Sequence, residues 1–119
     1  MRPGSAIRIA GLAAAIFLIA NLFVLGAQPF AVGLIPPPWD KLAHATLFAL
    51  LGALLVTATA GRRIGLVLAV LVAVAIADEL AQVDLPGRVV SLGDLAADVV
   101  GAVMGIAAMA SVLARRANR

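Results

Sequence analysis

The sequence contains no cysteine and few charged side chains, and each shortage excludes a class of protein. Without cysteine, disulfide bonds and thiol chemistry are excluded, and the redox compartment is unconstrained. Charged residues make up 13% of the chain, against roughly 25% in soluble domains, whereas hydrophobic residues make up 64%. This balance is typical of a membrane protein. At 119 residues the chain can build one small bundle, so we expect a single transmembrane domain over residues 1–119.

Familiar catalytic and nucleic-acid-binding patterns are absent as well. Aromatic residues make up 4% of the chain and no basic patch is interleaved with them, so nucleic acid is not an expected partner. Serine-nucleophile chemistry is poorly supported, because Ser91 has no glycine-flanked elbow and Ser5 and Ser111 lie at predicted cytoplasmic helix ends. A single histidine, without cysteine or an H-E-x-x-H pattern, is a weak metal signal.

Four apolar segments are each close to the ~20 residues that a helix needs to cross about 30 Å of hydrocarbon. They cover about residues 6–25, 41–60, 64–82 and 92–113. The prolines at 36–38 cannot be helical, because proline lacks the backbone donor, and residues 61–63 form a tight basic turn. In the fourth segment Gly101 and Gly105 form a G-x-x-x-G pattern, which supports close helix packing. The sequence therefore predicts an all-α bundle of four transmembrane helices.

The distribution of Lys and Arg predicts the orientation of this bundle. With four spans, seven basic residues share one side of the membrane: Arg2, Arg8, Arg62, Arg63, Arg115, Arg116 and Arg119. Lys41 and Arg88 lie on the other side. Because basic residues concentrate in cytoplasmic loops, we expect both termini to be cytoplasmic in the inner membrane, and the opposite surface to face the periplasm or exterior. A cleaved signal peptide is the alternative for the first segment, but its apolar run exceeds the usual ~7–15-residue signal core.

The acidic residues of the chain gather at that outer surface. There are six of them: Asp40, Asp78, Glu79, Asp84, Asp94 and Asp98. Ionisable groups in a bilayer are expensive and usually face a bundle interior or a watery cavity, so they indicate a functional site. We expect a ligand-binding cluster of four acids and four other polar residues: Lys41, His44, Asp78, Glu79, Gln82, Arg88, Asp94 and Asp98.

The start of the second segment offers a candidate acid–base pair. Asp40 and His44 lie four residues apart, hence on one helix face. A carboxylate beside an imidazole can fix its tautomer and raise its basicity. The alternative is structural: Asp40 would be an N-cap, His44 an interfacial or core histidine, and Lys41 a snorkelling anchor.

The end of the third segment carries two adjacent carboxylates. Asp78 and Glu79 point about 100° apart on a helix, and Gln82 lies one turn beyond them. An ion-pair network with Lys41 and Arg88 and a chemical role, such as holding a divalent ion, are both open. Four residues could supply the oxygen and nitrogen ligands of such an ion: His44, Asp78, Glu79 and Asp94.

The start of the fourth segment carries two more carboxylates on one face. Ser91 and Asp94 form an S-x-x-D capping box, in which Asp94 would be the capping carboxylate. Asp98 lies about one turn deeper and requires a partner. Arg88, held by the turn at Pro86-Gly87, is the expected cation for Asp94 or Asp98.

Four polar elements in this order resemble the VanZ-like family. They are Asp40-Lys41-x-x-His44-x-x-x-Phe48, Asp78-Glu79-x-x-Gln82, Pro86-Gly87-Arg88, and Ser91 with Asp94 and Gly101. The resemblance implies a small polytopic bacterial membrane protein, and the name-giving member is linked to resistance to the glycopeptide teicoplanin. The family commonly has asparagine where this chain has Asp98, so an additional acid enters the site.

Two functions of different classes follow from these residues. The first is a non-enzymatic cell-envelope protein in which Lys41 and Arg88 bind an anionic lipid headgroup or cell-wall precursor. The second is a small membrane enzyme acting on a lipid or lipid-linked substrate. Its catalytic candidates are Asp40 and His44 as the acid–base pair, and Glu79, which with Asp78 would bind a divalent ion.

Overall fold

Four long α-helices form the protein in the computed structural model, which describes residues 2–119. Helix α1 covers Ser5–Gly26, α2 Trp39–Ala58, α3 Ile64–Ala81 and α4 Leu92–Ala117. A short 3₁₀ turn, Pro29–Ala31, lies in the first link, and no strand occurs within residues 2–119. Each α-helix is long and apolar enough to cross a membrane. The predicted all-α bundle of four helices is confirmed.

The second helix begins and ends two residues earlier than predicted. It begins at Trp39 because proline fits the residue before a helix, and Pro38 takes the N-cap position. It ends at Ala58 in a Schellman motif: the Gly61 N–H donates to the Val56 carbonyl (2.9 Å) and the Ala60 N–H to the Thr57 carbonyl (3.1 Å). This motif places residue 60 in the left-handed region, with φ of 54°.

The fourth helix is longer than predicted. It continues past residue 113 to Ala117, and its last turn contains Arg115 and Arg116. Cations near a helix C-terminus interact favourably with its macrodipole. Apolar content marked the membrane-spanning part of this helix, whereas its basic extension beyond the apolar run was not detected by that criterion.

The helices run up and down, and the two ends of the bundle differ in charge. At one end, here called the arginine end, Arg2 and Ala117 lie beside Gly61, the turn between α2 and α3. The Arg8 Nε also donates to the Ala58 carbonyl there (3.0 Å). Both chain termini therefore share one end. The other end, where α1 and α3 finish and α2 and α4 begin, contains the acids and is called the polar end.

Close contact between α2 and α4 forms the centre of the bundle. These two helices share the most extensive interface, and a side chain added at Gly101 or Gly105 would overlap the backbone of Ala45 or Ala49. Gly52 lies on the α2 side of the same seam, with its Cβ position 2.9 Å from the Ala102 carbonyl oxygen. In lipid, where the hydrophobic effect does not drive helices together, small residues allow this approach. The G-x-x-x-G pattern therefore packs within the chain.

Candidate functional site

A cavity of about 550 Å³ lies at the polar end of the bundle. Seven of the residues expected at the site line it: Asp40, Lys41, His44, Asp78, Gln82, Arg88 and Asp94. Glu79 and Asp98 do not line the cavity, and both are buried behind it. The helices thus bring the predicted polar residues together, although in two layers.

Lys41 is the cation that pairs with the acids in the first turns of α2 and α4. Its Nζ lies 2.7 Å from Asp94 Oδ1 and 3.1 Å from Asp40 Oδ2. The prediction that Arg88 neutralises Asp94 or Asp98 is therefore wrong. Asp40 is not the N-cap of α2 either, because the helix begins one residue before it and Asp40 lies in its first turn. Lys41 acts as a bridge between two helices in addition to lying at a membrane surface.

His44 pairs with a carboxylate from another helix. Its Nδ1 lies 2.7 Å from Asp98 Oδ1, and Asp98 has no exposed surface. Asp94 lies farther away, with its Oδ2 4.0 Å from His44 Nε2. The predicted Asp40–His44 pair is not formed, since Asp40 bonds to Lys41 instead. The imidazole is therefore oriented by Asp98, which fixes one ring nitrogen and leaves the other near Asp94.

The N-terminus of α4 is held by its own N-cap residue, Ser91, and by Glu79 of α3. Ser91 Oγ accepts a hydrogen bond from the Asp94 N–H (3.1 Å), which confirms Ser91 as the N-cap. The Ser91 N–H, which a capping box would pair with Asp94, donates to Glu79 Oε2 on α3 (3.1 Å). Because Glu79 takes this role, the Asp94 carboxylate is available to Lys41. Glu79 thus positions the start of α4 and the loop before it.

Asp78 and Gln82 form a buried pair at the end of α3. Gln82 Nε2 donates to Asp78 Oδ1 (2.8 Å), and the two residues are 4% and 1% exposed. The other oxygen of each, Gln82 Oε1 and Asp78 Oδ2, has no hydrogen-bond partner among the described residues. Buried polar atoms are nearly always paired, so these oxygens are available to a donor or cation from outside the chain.

Arg88 is the second basic residue of the cavity and is not part of the ion pairs that Lys41 forms. Its residue lines the cavity, yet no carboxylate within residues 2–119 lies within ion-pair distance of it. The loop is held against the first link at Gly87, which has φ of 80° and whose Cβ position is 3.3 Å from Val32 Cγ1. Glycine tolerates this backbone conformation without strain.

Sequence reasoning missed the apolar walls of the cavity. They come from the end of α1 and from the first link, and include Leu25, Phe30, Leu34 and Ile35. The signal was present, since the link between Gly26 and the prolines is itself apolar. Its prolines and short length exclude a spanning helix, so apolar content alone does not identify it as a wall of the cavity.

These ion pairs predict which cation stabilises the fold. Lys41→Met removes the partner of both Asp94 and Asp40, whereas Arg88→Met breaks no ion pair. Leaving a buried acid without its cation is destabilising. We expect Lys41→Met to lower the melting temperature in detergent micelles more than Arg88→Met does. Equal melting temperatures for the two variants would contradict the assignment of Lys41 as the structural cation.

Four apolar helices that bury a polar cluster at one end define a small multi-pass membrane protein with an internal polar site. The sequence matches the VanZ/LLP1 family over residues 6–114, which includes nearly all of the four helices. The chain belongs to this family, as its four polar elements predicted. Searches of the curated proteins and of the solved structures found no match.

Proposed function

We propose that the cavity at the polar end binds the anionic headgroup of a lipid or of a lipid-linked cell-wall precursor. The observation that supports this proposal is Arg88, a cavity-lining residue that forms no ion pair within residues 2–119. A guanidinium presents donors in a planar fork that matches phosphate and carboxylate oxygens. Lys41 lies in the same cavity, but its charge is shared between Asp40 and Asp94. Arg88 is therefore the principal anion contact and Lys41 the secondary one.

The walls of the cavity favour an amphipathic ligand over a free anion. Its volume of about 550 Å³ falls in the usual range for small-molecule sites, roughly 300–1,000 Å³. Leu22, Leu25 and Phe30 supply an apolar side next to the charged residues. The phosphate of an amphipathic ligand would contact the basic residues, and its hydrocarbon chain would contact the apolar wall. An amino group in its headgroup could pair with the Asp78 carboxylate.

The proposed location of this site is the outer surface of the inner membrane. Both termini lie at the arginine end, and the concentration of arginines there favours a cytoplasmic position for that end. The cavity would then face the periplasm or exterior, where cell-wall precursors are consumed. A contribution to glycopeptide (teicoplanin) resistance would follow if a bound precursor were withheld from the antibiotic.

Binding of short-chain lipid phosphates tests the proposal. We expect the purified full-length chain in micelles to bind dihexanoyl phosphatidic acid or farnesyl phosphate, and Arg88→Gln to weaken binding about tenfold or more. Losing one charge-assisted contact of about 1.5–3 kcal/mol gives an effect of this order. Native mass spectrometry and calorimetry in EDTA would measure it. Preference between the two phosphates separates a glycerolipid from a polyprenyl ligand.

Two matched controls test whether the loss of binding is specific to Arg88 and to an anionic headgroup. Arg62→Gln removes an exposed arginine at the opposite end and should leave binding unchanged. Dihexanoyl phosphatidylcholine, whose headgroup is zwitterionic, should bind more weakly than the phosphates. If Arg88→Gln and Arg62→Gln bind the phosphates alike, the Arg88 site is the wrong assignment.

Enzymatic action on the same ligand is the second candidate, and the His44–Asp98 pair favours it. His44 lines the cavity, and its ring is oriented by a buried carboxylate. This pair replaces the Asp40–His44 pair expected from the sequence. Incubation of the protein with radiolabelled farnesyl phosphate distinguishes the candidates: recovery of intact ligand supports binding alone, and a labelled product lost in His44→Gln supports catalysis.

A further inference from the structure

Three side chains from three helices meet at the cavity, where two of them line it and the third is buried behind it. His44 on α2, Asp78 on α3 and Asp98 on α4 each offer one ligand atom, and the three atoms lie within 4.8 Å of one another. Asp78 is 1% exposed and Asp98 has no exposed surface. This convergence comes from separate elements, so it does not arise from a local run of acidic residues.

Several buried oxygens of this group have no hydrogen-bond donor beside them among the described residues. Asp78 Oδ2 and Asp98 Oδ2 are buried and have no hydrogen-bond partner in the part of the chain that the structure describes. Gln82 Oε1, attached to Asp78 through the Gln82 amide, is a third oxygen of this kind. An ionised carboxylate oxygen or an amide oxygen can only accept a hydrogen bond or bind a cation. Leaving them unpaired in an apolar bundle would be costly.

We propose that His44, Asp78 and Asp98 bind one first-row divalent cation, of the class of Zn²⁺ or Mn²⁺. One imidazole nitrogen and two carboxylates form a mixed donor set that suits such ions better than Mg²⁺, which prefers oxygen ligands and retains its waters. The charge also balances, because one dication neutralises two buried carboxylates.

Glu79 and Asp94, which the sequence suggested as metal ligands, are not in this set. Neither converges with the three proposed ligands. Glu79 Oε2 accepts from the Ser91 N–H, and its Oε1 has no partner among the described residues. Asp94 is held by Lys41. Because each proposed ligand lies on a different helix, the cation would link α2, α3 and α4. Anything that binds the folded state alone raises its stability, so metal should stabilise the bundle.

Metal titration of the full-length protein tests this site without reference to lipid. After stripping with EDTA and buffer exchange, we expect one Mn²⁺ per chain by electron paramagnetic resonance, and one Zn²⁺ by competition with a chromogenic chelator. His44→Gln, Asp78→Asn and Asp98→Asn should each weaken binding more than about tenfold, since even the loss of an outer-shell partner costs ~10–100-fold. The melting temperature should rise with Zn²⁺ in the unsubstituted protein and less in these variants.

Two control variants test whether metal binding depends on these three residues or on carboxylates at this end of the bundle in general. Asp84→Asn removes an exposed loop carboxylate, and Glu79→Gln retains an oxygen for the Ser91 N–H. Both should bind metal within a few-fold of the unsubstituted protein. Absence of saturable binding, or equal losses in Asp84→Asn, would overturn the proposal. Circular dichroism identifies any variant that fails to fold, in which case the remaining two ligand variants decide. The lipid assay contains EDTA, so either proposal can fail alone.

Discussion

Gly105→Ala is expected to destabilise the bundle by about 1–3 kcal/mol, the usual range for overpacking a filled core. A Cβ at this position would overlap the backbone carbonyl of Ala49, and no rotamer change can move a backbone atom. Relief would require α2 and α4 to separate along their most extensive interface. Gly101→Ala meets Ala45 in the same way, so we expect the double variant to lose the native bundle.

A helical glycine without close neighbours provides the control for these variants. Gly65 lies at the start of α3 and has no atom within 4 Å of its Cβ position. Gly65→Ala should be neutral or stabilising by up to about 1 kcal/mol, because alanine favours the helix. Thermal unfolding in micelles, followed by helical circular dichroism, compares the variants. Equal melting temperatures for Gly105→Ala and Gly65→Ala would show that the α2–α4 seam can widen without cost.

Most of the fold could be predicted from the sequence because each helix is defined locally. The number and order of the spans follow from apolar length, and the ends of α1 and α3 fall within one residue of prediction. The exact end of α2 depends on a Schellman motif with alanine at the left-handed position, where glycine would have been the expected signal. The basic end of α4 lies beyond the apolar run.

Which residues form the polar cluster could be predicted, whereas their pairing could not. Polar residues in apolar helices identified the cluster, and the up-and-down topology brought them to one end. Spacing within a helix suggested Asp40 for His44, but the partner is Asp98, 54 positions along the chain. That distance is bridged because Gly101 and Gly105 let α4 lie against α2, which is a tertiary effect. The spacing of residues within one helix does not show which residue of another helix they will contact.

The position that departs from the family pattern carries the last prediction. Asp98→Asn should fold as well as the unsubstituted protein at neutral pH in EDTA, or better. The amide oxygen can replace Oδ1 beside His44 Nδ1, and the amide N–H₂ brings a donor near Asp78, whose Oδ2 is unpaired. No buried charge at position 98 then needs compensation.

Asp98→Leu should instead lose about 1–3 kcal/mol, because it leaves the half-buried His44 ring nitrogen without its partner. Thermal melts of both variants in EDTA compare the loss of charge with the loss of hydrogen bonding at one site. The chelator is needed because the same substitutions should weaken the proposed metal site, which would otherwise lower both melting temperatures. If Asp98→Asn unfolds while the unsubstituted protein remains folded, the negative charge at position 98 is itself required by the bundle. His44 would then be paired as a cation, and a neutral residue could not substitute in this chain.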